Sequence, residues 1–93
     1  MAGSLFLSNF ADGSGDGGFG GGICNDGTGS LSFGGVNTFD DNWGLLGGAI
    51  YNGVDATIAF PEDGGEVIFQ NLRGEICPGI YYREEDNQHT CGP

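Results

Sequence analysis

The chain contains no lysine and only two arginines, Arg73 and Arg83, against thirteen acidic residues. Nucleic-acid binding rests on Lys and Arg neutralising phosphates, so it is not expected here. Docking on an anionic membrane surface is disfavoured for the same reason. No stretch approaches the roughly 18–20 apolar residues of a membrane-spanning helix. The opening residues, MAGSLFLSNFADG, lack the basic region and apolar core of a signal peptide. Helical signals are missing too: no window of eleven residues repeats apolar positions at i, i+3, i+4 and i+7 without a glycine interrupting. The three prolines and 21 glycines follow no Gly-X-Y period, which excludes a collagen-like chain. There is no CxxC pair, and His89 is the sole histidine, so the spacing of a zinc site is absent and no cofactor is expected.

What remains is glycine, acid and aromatics. Seven Phe, three Tyr and one Trp in 93 residues argue for a buried core, though at this length a thin one in a single domain. The formal net charge of -11 favours solubility and attracts cations. Short alternating runs, SLFLSNF, SLSF, ATIAF and EVIFQN, read as strands. Between them ADGSGDGG, NDGTG and PEDGG read as turns.

The runs recur. Sliding the chain by 27 residues lays Gly21 on Gly48, Ile23 on Ile50, Asn25 on Asn52, Leu31 on Ile58 and Phe33 on Phe60. A second mark, Phe-x-x-Asn, appears as Phe6–Asn9 and Phe39–Asn42, with a shortened form at Phe69–Asn71. Periods of this size made of strands and turns predict stacked supersecondary units that share one core. The expected fold is all-β: a short coil of parallel strands, a solenoid, over residues 1–71, followed by an irregular C-terminal cap or docking arm over 72–93. Ile23 over Ile50 and Phe33 over Phe60 are expected inside. Cys24 and Tyr51, their strand neighbours, are expected outside.

The phrases GGGI and GGAI, alternating with FLSN and FDDN, resemble the repeats of the chlamydial polymorphic outer-membrane proteins. The resemblance covers about residues 5–71, and GGAI alone matches the first motif in full. It implies a short right-handed parallel β-helix and an adhesive role at the cell surface or outside the cell. The corresponding function is a non-enzymatic interaction module, with a protein partner or larger assembly and no small-molecule substrate. The alternative is a carbohydrate-active β-helix enzyme, which requires carboxylates such as Asp40, Asp41, Asp26 and Asp55 to converge within about 10 Å.

Several residues carry more local expectations. Asp12, Ser14 and Asp16 alternate like the start of a calcium loop, but the twelfth position holds Ile23 where an EF-hand needs Glu, and a plain acidic turn accounts for them as well. Cys77 and Cys91 bracket 13 residues and either close them as a disulfide or stay free, in which case all three cysteines are thiols. In the tail, Ile80, Tyr81 and Tyr82 are candidate anchors for a partner. His89 is expected at the surface.

Overall fold

A computed structural model describes residues 4–11, 18–61 and 64–92, the side chains of Phe10 and Asn87 excepted. The chain is all-β, with strands β1 (Leu5–Leu7), β2 (Phe10–Ala11), β3 (Ile23–Asn25), β4 (Ser30–Ser32), β5 (Val36–Asp40), β6 (Trp43–Gly44), β7 (Ile50–Asn52), β8 (Thr57–Ala59), β9 (Glu66–Gln70), β10 (Ile80–Arg83) and β11 (His89–Cys91). Among the described residues, no helix is long and apolar enough to cross a membrane.

The expectation of one parallel β-helix is corrected by the sheet topology. Among the described residues the strands fall into four separate small sheets, ordered β1-β5-β9, β11-β10-β7-β3, β2-β6 and β4-β8. The second of these is mixed, because the chain reverses after β10 and lays β11 antiparallel against it. The physical reason is local. Strands of two to five residues end at left-handed residues such as Ser8, Gly20, Asp41 and Gly47, and the backbone bonds that cross these corners, such as Ser8 N–H to the Asp40 carbonyl at 3.0 Å and Gly47 N–H to the Ile76 carbonyl at 2.9 Å, do not merge the sheets into one.

Within each sheet the parallel pairs have a definite register. Phe6 pairs with Phe39, in a stretch where partners lie 33 residues apart. Ile23 pairs with Ile50, where the separation is 27. The next pairs, Phe39 with Phe69 and Ile50 with Ile80, belong to a register of 30. Like therefore lies beside like, and the side chains stack. The rings of Phe6 and Phe39 are 4.6 Å apart, and those of Phe39 and Phe69 are 5.5 Å apart.

Burial is deepest in the middle of these rows. Phe39, Ile50 and Ala49 are wholly buried. Their neighbours on one side (Phe6, Ile23 and Leu31) are only half-buried, as are Ile58, Val67, Phe69 and Leu72 on the other. Ile80 is the exception at that second end: it is fully buried, with Gly92 donating its N–H to the Ile80 carbonyl at 2.8 Å. Two placements differ from expectation. Phe60 stacks on Phe33 at 6.1 Å but stays 41% exposed, because it sits just beyond the end of β8. Tyr51 is buried although it points away from Ile50, since Phe19 and Tyr81 lie on its two faces.

Candidate functional site

Two corners of the fold gather polar chemistry. The first follows β5. A strand that must turn sharply needs a left-handed residue, and Ser8, Asp41 and Asn71 take that role with φ of 55°, 56° and 53°. Polar side chains suit this conformation because they bond locally. Asn42 then turns inward and is buried. Its Oδ1 accepts from the backbone N–H and the Nδ2 of Asn9, each at 3.0 Å, and its Nδ2 donates to the Phe6 carbonyl at 2.9 Å. The third Phe corner differs from the shortened motif read in the sequence. Phe69 and Gln70 pair with Phe39 and Asp40, so Asn71 holds the left-handed position of Asp41, and Leu72 follows where Asn42 stands.

This corner opens into a groove of about 560 Å³ lined by Leu7, Asp40, Asp41, Asn71, Leu72 and Arg73. Its carboxylates are engaged. Asp40 accepts from Gln70 Nε2 at 3.1 Å and from Asn71 Nδ2 at 3.0 Å. Asp41 accepts from Ser8 Oγ at 3.0 Å and pairs with Arg73 Nη2 at 3.2 Å. Asp26 and Asp55 stand elsewhere, in the turns after β3 and β7. The four carboxylates considered for polysaccharide chemistry are thus split between corners.

The second corner precedes β10. Gly20 and Gly47 open the segments GGGI and GGAI with φ of 73° and 80°. The equivalent residue in the next segment, Cys-Pro-Gly-Ile, is Cys77, with φ of 58°. A disulfide joins Cys77 to Cys91, 14 residues on, with the Cα atoms 5.1 Å apart. The link fastens β11 over the end of the fold. Around it runs a column of rings: Phe19 on Tyr51 at 4.8 Å, Tyr51 on Tyr81 at 5.4 Å, and Tyr81 on His89 at 4.9 Å. His89 is exposed, and one of its ring nitrogens and the two sulfurs all lie within 4.8 Å of one another.

The candidate anchors of the tail take part in this packing. Ile80 and Tyr81 are buried and Tyr82 is half-buried, because β10 is paired on both sides and covered by the hairpin. In the single chain they pack into the fold's two apolar clusters. Asp12, Ser14 and Asp16, the calcium candidates, lie outside the described residues. Cys24 is free and exposed, at the outer edge of β3. Partial burial of its sulfur, with Asp26 adding to it, pushes the thiol above its ordinary value. Sequence reasoning missed Cys77-Pro-Gly-Ile as a third glycine corner, because three of its four residues depart from GGAI. The surviving signal was Gly79-Ile80 at the same spacing from Ile50 as Phe69 from Phe39.

Comparison with known proteins returns no family model that matches the chain, and no similar curated protein or solved structure.

Proposed function

We propose that the protein is a non-enzymatic interaction module that joins other protein chains through the open edges of its parallel strands. The observation that carries this reading is the gradient of burial. Phe39 and Ile50 are sealed, whereas Phe6, Ile23 and Leu31 on β1, β3 and β4 keep a face uncovered. β1 and β3 are outermost in their sheets, and Leu5 and Leu7 flank Phe6 at 62% and 54% exposure. A sheet edge with unpaired backbone groups beside an apolar face accepts an added strand; main-chain bonds supply affinity and side-chain pockets supply specificity. The division of Asp40, Asp41, Asp26 and Asp55 between corners favours this reading over carbohydrate chemistry.

A second copy of the chain is the simplest partner to test. Light scattering over a broad concentration range should show mass rising with concentration. Phe6→Lys, which puts a charge on the uncovered face, should hold the protein monomeric at every concentration. A wild-type protein that stays monomeric throughout, with an unfolding midpoint independent of concentration, refutes the reading.

A further inference from the structure

We infer that Cys77, Cys91 and His89 form a redox-gated site for one zinc ion. The fold brings together three side chains that sequence spacing does not link as ligands. Cys77 is held at a left-handed corner, Cys91 is paired across from Tyr81 on β11, and His89 is laid flat on the Tyr81 ring. With the ligand atoms all within 4.8 Å of one another, the cluster matches the Cys₂His donor set of a tetrahedral site that keeps a fourth position open. His89 reaches the sulfurs from the solvent side, so an ion arrives without crossing the core. The chain's net charge of -11 favours that arrival.

The gate is the disulfide. A dithiol reductant gives two electrons and two protons to the Cys77–Cys91 bond. The sulfur–sulfur bond breaks, two thiols remain on the protein, and the reductant closes into its own cyclic disulfide. Zn²⁺ then displaces both thiol protons and binds two thiolates and one neutral imidazole nitrogen, with no further electron transfer. Two protons are released for each ion bound. The hairpin over Ile80 is thereby fastened by a covalent bond in oxidising surroundings and by a metal in reducing ones.

The test uses the full chain carrying Cys24→Ser, reduced anaerobically with a phosphine and titrated with Co²⁺ as the spectroscopic probe. One equivalent of Co²⁺ should develop thiolate-to-cobalt charge-transfer and tetrahedral d–d bands, and added Zn²⁺ should abolish them. The oxidised chain should show none. His89→Ala should weaken binding by more than about tenfold, the low end of what even outer-shell partners of a metal cost when removed. Cys91→Ser should remove most of the charge-transfer intensity. Absence of the bands in the reduced chain overturns the proposal. Equal binding by the oxidised chain does so too, as does unchanged affinity in His89→Ala.

Discussion

Residue 77 is the sharpest point at which the fold can be tested, because it is a cysteine doing a glycine's backbone task. Its φ of 58° lies in the left-handed region that Gly20 and Gly47 occupy at the two equivalent corners. For a residue with a Cβ that conformation costs roughly 1–2 kcal/mol. The disulfide to Cys91 offsets it: closing a loop of 14 residues contributes about 3 kcal/mol. Removing the bond in two ways separates the two terms. In Cys77→Ala/Cys91→Ala the link is lost and the strained Cβ stays. In Cys77→Gly/Cys91→Ala the link is lost and the strain goes with it, less the 0.5–1 kcal/mol or so by which glycine's extra freedom favours the unfolded chain. The glycine variant should therefore be the more stable of the two by about 0.5–1 kcal/mol, with the alanine variant about 3 kcal/mol and the glycine variant about 2–2.5 kcal/mol below the oxidised protein. Urea denaturation followed by Trp43 fluorescence measures this, with a thermal melt as a second reading. A difference of 1 kcal/mol corresponds to a shift of about 4–8 °C in a domain this size. At most other positions alanine outdoes glycine, so the inverted order is diagnostic. An alanine variant as stable as the glycine variant, or more so, would show that residue 77 is not held left-handed.

Asn42→Ala strips three hydrogen bonds from a buried corner and leaves the Asn9 N–H and Phe6 carbonyl without their partner. The expected loss is about 2–3 kcal/mol in urea denaturation, and a loss under about 0.5 kcal/mol would mean that water replaces the amide freely. Cys24, whose thiol is pushed up by burial and by Asp26, should react with iodoacetamide at pH 8 more slowly than an unstructured cysteine, since only the thiolate attacks. Asp26→Asn should quicken the reaction; a rate at or above that of the unstructured thiol would contradict the placement.

Much of the fold was legible because it rests on identical residues lying side by side. Ile23 and Ile50, or Phe6 and Phe39, declare their pairing by repetition, and buried rows tolerate little else at those positions. What failed did so where position and chemistry part company. Cys77 fills a glycine corner with a different residue, so its segment went unread, and with it the place of Ile80 and Tyr81 in the core. Strand alternation alone predicts Tyr51 outward. Alternation tells which face a side chain takes, but not that Phe19 and Tyr81 will cover that face. A period predicts a continuous β-helix but is blind to how short strands divide into separate sheets and to the antiparallel return of β11. Nor does spacing along the chain announce His89 beside two sulfurs: an antiparallel return strand brings the three together.

The registers of 33, 27 and 30 have a consequence for how such a chain tolerates change. Between β2 and Phe19 the register falls by six, across a stretch where residues 12–17 number six. Between β8 and β9 it rises by three, and through both shifts Phe still meets Phe and Ile still meets Ile. Length along the chain therefore changes at these two places, while the register stays constant through the described pairs on either side of each. Insertions, deletions or a grafted peptide belong there, since the molecule keeps count of its strands and ignores the residues that separate them.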